Sequence, residues 1–425
     1  MDVTISPHIF LSGSQDEIRL PASKSHTIRR LIVALFCKDK TRIDFPLDSL
    51  DTRSCLSVCR SLGAVIEEQG NGASWIVEGL KNAKNIVPQT QVLDVGNSGT
   101  TLFLALAAAS LADHPVTFTG DASIAKRSAQ PLLDALEGLG VGVLSSKGCV
   151  PITVQGPWKG GRISLECQTS QYLSALLLAA PLSGKDCITE IDVPVLNEKP
   201  YIEMTLSYLK NQGVDIDIAH DFSYFKIKGG ATYKAHNGTV AADFSSAAFP
   251  ACAAVVSGAK IALKGLDKND FQGDKAFFDI LAKMGANVEW EKDKVIVSKN
   301  HDLHGGIFDL NDTPDLLPVC AVLACYAKSQ TRLVNVAHAR IKETDRIAVM
   351  ARELTALGAD IVELPDGLVI NGKGNLHGGI ADGHDDHRVV MALAVAALGA
   401  QEPVTISTAQ SADVTYPGFI QLCLK

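Results

Sequence analysis

Residues 92–109 read VLDVGNSGTTLFLALAAA, a short strand, a polar turn and an apolar helix of small residues. The same phrase returns as EIRLPASKSHTIRRLIVAL (17–35), ISLECQTSQYLSALLLAA (163–180), TVAADFSSAAFPACAAV (239–255), GIFDLNDTPDLLPVCAVLA (306–324) and GIADGHDDHRVVMALAVAAL (379–398). With Ser25, Ser98, Ser170, Ser245, Asp315 and Asp386 as markers, the spacings are 73, 72, 75, 70 and 71 residues. A fixed period of this length names the architecture before any single element is assigned. Half a period away, helical stretches end in SLGAVI, GLGVGV, NQGVDI, KMGANV and ALGADI, with glycines at Gly63, Gly140, Gly213, Gly285 and Gly358. Glycine just past a helix end is the usual C-cap, and the alternation that follows reads as strand, turn, strand. A sixth Leu-Gly falls beyond Lys425, so FIQLCLK is expected to be the sixth such helix.

Each unit therefore reads strand, helix, strand, helix, strand, strand, and six units account for the chain. Helices this rich in Ala and Leu are apolar on nearly every side, which predicts burial rather than a solvated outer layer. The fold class is α/β (α+β), and an even split gives two domains of three units each.

Composition sets the outer bounds. A chain of 425 residues admits two or three domains. With 46% hydrophobic and 20% charged residues it is an ordinary globular composition. Leu102–Leu111 is the longest apolar run, far short of the ~18–20 residues that span a membrane. MDVTISPHIF lacks a basic region followed by an apolar one, so a cytoplasmic protein is expected. Ten cysteines without a CxxC pair predict reduced, mostly buried thiols. A net charge of −8 argues against nucleic acid as the main partner.

All six strand-to-helix turns carry Ser, Thr, Asn or Asp before the helix, as N-caps do. Helix N-termini also offer free N–H groups and a positive dipole end, so several of them facing one ligand favour a polyanion. Cations stand at related points of the repeats: Lys24 and Arg29, Arg127 in GDASIAKRSAQP, Lys342 and Arg346 in RIKETDR, and Arg388 in GHDDHR. Lys342 and Arg346, four residues apart, are expected to share a helix face. His384 and His387 have no third ligand placed by spacing, so no metal is expected. There is no GxxxxGK[ST] loop and no strand-bound GxGxxG, hence no nucleotide cofactor.

In combination, ASKS, GNSGT, the Arg127 loop, SQYLSALLLAAP, EKPYIEMT, TPD, KETDR and DHR make the chain resemble the 5-enolpyruvylshikimate-3-phosphate synthases, in order and across almost its whole length. The resemblance implies a two-lobed inside-out α/β barrel of six βαβαββ repeats, three per lobe, closing on substrate. One lobe is expected from residues 1–22 plus 241–425, with TPD, KETDR and DHR. The other is expected from 23–240, with SKS, GNSGT, the Arg127 loop and the SQ motif. It implies transfer of the enolpyruvyl group of phosphoenolpyruvate to the 5-hydroxyl of shikimate-3-phosphate, with release of phosphate, by a monomer that uses no metal or organic cofactor. Lys24, Ser25, Arg29, Thr169, Ser170, Gln171, Tyr201, Asp315, His338 and Lys342 match shikimate-3-phosphate positions. Lys24, Gly99, Arg127, Arg346 and Arg388 match phosphoenolpyruvate positions. Lys24, Asp315 and Glu343 take the catalytic places, Glu343 as the acid/base at the methylene carbon. Six cations suit the four to five negative charges of two phosphates and a carboxylate.

Four positions depart from the family pattern. Phe103 and Val414 stand where an Arg and a Lys are common, His338 where Asn is common, and Glu198 where Ser or Arg is common. The first two keep open a weak or non-catalytic paralogue that binds shikimate-3-phosphate. The related UDP-N-acetylglucosamine enolpyruvyl transferase is disfavoured, because its loop carries a Cys where this chain has Ala122.

Overall fold

The computed structural model describes the chain except for residues 12–16, 81–85, 87–89 and 91. It divides into two compact units: a split unit, Met1–Pro21 with Ala241–Lys425, and a continuous unit, Ala22–Val240. Each has its own hydrophobic core.

The repeated phrase supplies every odd-numbered helix and the Leu-Gly phrase every even one. In the continuous unit these are α1 (Lys24–Leu35), α2 (Leu50–Ser61), α3 (Gly99–Ala109), α4 (Gln130–Gly138), α5 (Ser170–Ala179) and α6 (Lys199–Asn211). In the split unit they are α7 (Phe244–Ser257), α8 (Ala276–Lys283), α9 (Leu317–Cys325), α10 (Arg346–Ala356), α11 (His387–Gly399) and α12 (Phe419–Cys423). The odd helices lie inside. All of α3 but Thr100 and all of α11 but Gly399 is buried. Helix α3 packs on α1 and α5, and α11 on α7 and α9. The even helices bury one stripe, as α10 does with Arg346, Ile347, Val349, Met350, Glu353 and Leu354.

Among the described residues the strands form one three-stranded sheet and five mixed four-stranded sheets. In one, Val92–Asp94 runs parallel to Val116–Thr119, which is antiparallel to Cys149–Gln155, itself antiparallel to Gly142–Ser146. The expected C-cap glycines Gly63, Gly140, Gly213, Gly285 and Gly358 all have φ between +72° and +113°. That is the left-handed region where a Cβ is costly and glycine is not.

Glu17–Arg19 pairs in parallel with Lys260–Lys264 in the split unit, while Gly238–Thr239 pairs with Thr41–Asp44 in the continuous unit. Two features differ from the sequence reading. The last sheet takes its edge strand from the N-terminal segment, Val3–Ile5 running antiparallel to Val404–Ile406. Lys342 and Arg346 do not share a helix face. The Asp345 side chain caps α10 by accepting from the Ala348 N–H at 3.1 Å, so Arg346 is the first helical residue and Lys342 lies in the turn before it.

Candidate active site

In the split unit the predicted residues converge on one guanidinium. Arg346 is 0% exposed. Its Nε and Nη2 donate to Asp386 at 2.8 and 3.1 Å, its Nη1 to Asp315 Oδ1 at 2.7 Å, and its Nη2 to Glu343 Oε2 at 2.5 Å. Asp386 does two jobs, because as N-cap of α11 it also accepts from the Arg388 N–H at 2.9 Å. Arg388, 5% exposed, bonds the other oxygen of Asp315 at 2.9 Å. Charge-assisted pairs of this kind are the strong ones, and the one with Asp386, in which both side chains are buried, is the least screened.

The titrations follow from that geometry. Burial pushes the Asp315 carboxyl up, but Arg388, Lys342 and Arg346 outweigh it and hold the group well below the usual carboxylate range. Asp386 is also lowered, burial being overcome by Arg346. Arg346 is raised despite burial, by Asp386, Glu343 and Asp315. His338, on the 3₁₀ turn Ala337–Ile341, is 7% exposed and donates from Nε2 to the Asn311 carbonyl at 3.0 Å.

One acid that the sequence reading missed sits beside this set. Asp274 is 0% exposed, accepts a hydrogen bond from the Ser245 hydroxyl, and is pushed up to about 7 by burial and the nearby charge of Asp315. The QGD run that carries it precedes a helix and reads as a turn, so nothing local marks it out.

The continuous unit holds its predicted residues differently. Lys24 opens α1 and pairs with Asp51 at 3.0 Å. Arg29, 2% exposed, binds neutral groups: Thr205 Oγ1 at 2.9 Å, Ser174 Oγ at 3.2 Å, and the carbonyls of Ser25 at 3.2 Å and Tyr201 at 3.4 Å. Burial lowers its pKa to about 10, with Tyr208, Tyr201 and Glu198 opposing the drop. Thr169 is the N-cap of α5, with Ser170 and Gln171 following.

A Cβ at Gly99 would lie 2.8 Å from Arg127 Nη1, so a larger residue there would push the end of that side chain away from the start of α3. Phe103 supplies structure where a cation was expected. Its ring meets Tyr172 edge-on at 5.0 Å, and the Tyr172 hydroxyl donates to the Ser128 carbonyl next to Arg127 at 2.9 Å. Val414 is 6% exposed in the 3₁₀ turn Ala409–Val414. Glu198 is 3% exposed, has φ +58°, and spends one carboxylate oxygen on Thr169 and Ser170.

The histidines of HDDH serve the fold. His384 meets Glu353 Oε1 at 2.9 Å, and His387 starts α11. Among the described residues no group of three or more His, Cys, Asp or Glu side chains is placed to hold a metal ion. All ten cysteines are free, and all but Cys149 and Cys187 are buried.

Comparisons with known proteins agree in kind. A family model described as EPSP synthase (3-phosphoshikimate 1-carboxyvinyltransferase) matches residues 12–422. The 3-phosphoshikimate 1-carboxyvinyltransferase of Ruminiclostridium cellulolyticum is 45% identical, over 97% of this chain and 95% of its own. That of Acetivibrio thermocellus is 46% identical, over 96% and 95%. The EPSP synthase structure from Acinetobacter baumannii superposes with a TM-score of 0.82 at 26% identity, covering 99% of this chain and 97% of that one. The enolpyruvyl transferase NikO of Streptomyces tendae shares the fold, with a TM-score of 0.79 at 20% identity over 99% and 96%.

Proposed function

The chain belongs to the EPSP synthase (3-phosphoshikimate 1-carboxyvinyltransferase) family, and from that premise we propose which of its residues carry the reaction. The enzyme transfers the enolpyruvyl group of phosphoenolpyruvate to the 5-hydroxyl of shikimate-3-phosphate and releases inorganic phosphate. The hydroxyl oxygen bonds to C2 of phosphoenolpyruvate while a proton is added at C3. Loss of phosphate from C2 and of a proton from C3 then restores the double bond.

Arg346 is the hub of the split unit, and the observation that carries the assignment is its simultaneous grip on Glu343 and Asp315. An anionic substrate at Arg346 and Arg388 competes for the same N–H donors. Glu343 then loses a cationic partner next to a new negative charge, which favours its protonated form. That is the state a general acid at the methylene carbon needs, and after protonating C3 the same carboxylate takes the proton back on elimination. Asp315 loses the same cations and becomes a better acceptor for the 5-hydroxyl proton. In the continuous unit, Lys24 serves as a further proton carrier and phosphate ligand, Arg127 meets phosphoenolpyruvate beside Gly99, and Arg29, Ser25, Thr169, Ser170, Gln171 and Tyr201 bind shikimate-3-phosphate. Lys342 and His338 complete that set from the split unit.

We also propose that the protein is a monomer in solution. Light scattering at micromolar protein tests it, and a dimer mass overturns it. A cytoplasmic location fits phosphorylated substrates that do not cross membranes, and cell fractionation checks it.

The residue assignment is tested by following phosphate release from shikimate-3-phosphate and phosphoenolpyruvate. Glu343→Ala and Lys24→Ala are each expected to slow release by roughly 10²–10⁴-fold. Unchanged rates in both sink the assignment.

A further inference from the structure

At the start of α5, three donors converge on one oxygen that belongs to the protein itself. Glu198 Oε2 accepts from the Thr169 hydroxyl at 3.1 Å, the Ser170 N–H at 3.0 Å and the Ser170 hydroxyl at 2.7 Å. The carboxylate is buried, its residue being only 3% exposed, and Thr169 and Ser170 are 8% and 1% exposed. A helix N-terminus with two hydroxyls is a seat for an anion, and here a resident anion sits in it. The backbone of Glu198 is left-handed, at φ +58° and ψ +41°, a conformation a glutamate rarely takes and one that needs compensating contacts. On the same helix turn, Gln171 Oε1 is a buried acceptor without a hydrogen-bond partner. An acceptor facing no donor adds to the negative surroundings rather than relieving them.

We propose that Glu198 is an internal competitor for the shikimate-3-phosphate seat, setting the enzyme's affinity for that substrate by holding the Thr169–Ser170 donors until an anionic group of the substrate displaces it. The inference rests on the assignment of Thr169 and Ser170 to shikimate-3-phosphate. A substrate phosphate or carboxylate arriving at these donors meets a carboxylate already bonded to them. Two negative charges about 4 Å apart repel by several kcal/mol at an effective dielectric near 20, so both do not occupy the seat at once. Displacement therefore costs affinity, and the cost falls on shikimate-3-phosphate rather than on phosphoenolpyruvate.

Two variants separate charge from shape. Glu198→Gln keeps an acceptor oxygen for the three donors and removes the charge. Glu198→Asn shortens the side chain and suits the left-handed backbone, so it covers the case in which the Gln variant fails to fold. Shikimate-3-phosphate binding is measured by calorimetry without phosphoenolpyruvate, together with competition by inorganic phosphate. Both ligands are expected to bind about tenfold more tightly in each variant, a shift of about 1.4 kcal/mol. The KM for shikimate-3-phosphate should fall by more than kcat changes. Unchanged or weaker binding in a folded variant overturns the proposal. Thr169→Ala and Ser170→Ala tell the two failures apart. If these weaken binding while Glu198→Gln does not tighten it, the seat stands and the competitor role fails. If they leave binding unchanged, the seat assignment itself is wrong.

Discussion

Arg346 and Arg29 are both buried arginines on helices of equivalent units, yet they are held in opposite ways. Arg346 of the split unit is gripped by Asp386, Asp315 and Glu343, and its charge is stabilised beyond that of a free arginine. Arg29 of the continuous unit is held by two hydroxyls and two carbonyls, and burial makes its charge less favourable. The difference suits a divided task. Where protons move, carboxylates are already in place around a cation that orients them. Where an anion only has to be bound, the cation is fixed by neutral groups and its charge is left for the ligand to neutralise. Glu198 fits the second pattern as an exception, a carboxylate hydrogen-bonded to the Thr169 and Ser170 hydroxyls and close enough to Arg29 to favour its charge.

The sharpest way to break this contrast is to delete each guanidinium. Arg346→Met leaves Asp386 buried and uncompensated, so a loss of about 3–5 kcal/mol is expected, seen by calorimetry as a fall in the unfolding temperature of roughly 10 °C. Arg29→Met replaces a desolvated cation by an apolar chain and leaves its hydrogen-bond partners, which are all neutral, so about 1–2 kcal/mol is expected. Equal losses in the two variants would end the comparison.

A smaller effect tests the fixing of Arg29 by hydroxyls. Thr205 accepts from Arg29 at 2.9 Å and is itself bonded to Ser174 at 3.0 Å and to the Tyr201 carbonyl at 2.8 Å. Thr205→Val should cost about 1–2 kcal/mol by thermal unfolding and raise the KM for shikimate-3-phosphate without moving that for phosphoenolpyruvate. Equal changes in the two KM values contradict the division of labour.

The pH dependence of the split unit offers a further test, because its buried acids have shifts of opposite sign. Asp274, raised to about 7, is favoured protonated, so the folded state binds more protons than the unfolded one between about pH 4 and 7 and loses stability as pH rises through that window. Asp315 and Asp386 are lowered, so their contribution is full at neutral pH and is lost as pH falls below about 4. Asp274→Asn, which keeps an acceptor for Ser245, should therefore unfold later than the parent at pH 8, with the gain gone near pH 4. A gain that is the same at both values shows that the Asp274 charge is not involved.

Most of the fold was legible because it repeats. The Leu-Gly period located the left-handed glycines, and the small-residue helices told of burial before any contact was seen. The strand partners of Glu17–Arg19 and Gly238–Thr239 were not legible, nor was the pairing of Val3–Ile5 with Val404–Ile406. Strand partners are chosen by tertiary packing, and three-residue strands carry no record of which edge they join. The cations of the site were readable from their motifs, but their counter-ions were only half seen. Asp386 read as a cap, and its second role as anchor of Arg346 depends on where α10 begins, which Asp345 decides. Asp51, Asp274, Ser174 and Thr205 were silent, since acids and hydroxyls at helix starts are common for capping alone. Phe103 read as a missing cation. Its contact with Tyr172, and through it with the Arg127 loop, needed the packing of α3 against α5.

The central claim is that Glu343, oriented by Arg346, exchanges a proton with the methylene carbon of phosphoenolpyruvate. The reaction run in D₂O, with the enolpyruvyl product examined by mass spectrometry and NMR, tests it directly. With the parent enzyme deuterium should appear at the vinyl carbon, and with Glu343→Gln the isotope and the turnover should disappear together while shikimate-3-phosphate still binds. Deuterium entering that carbon at the parent rate in the Glu343→Gln enzyme would contradict the account.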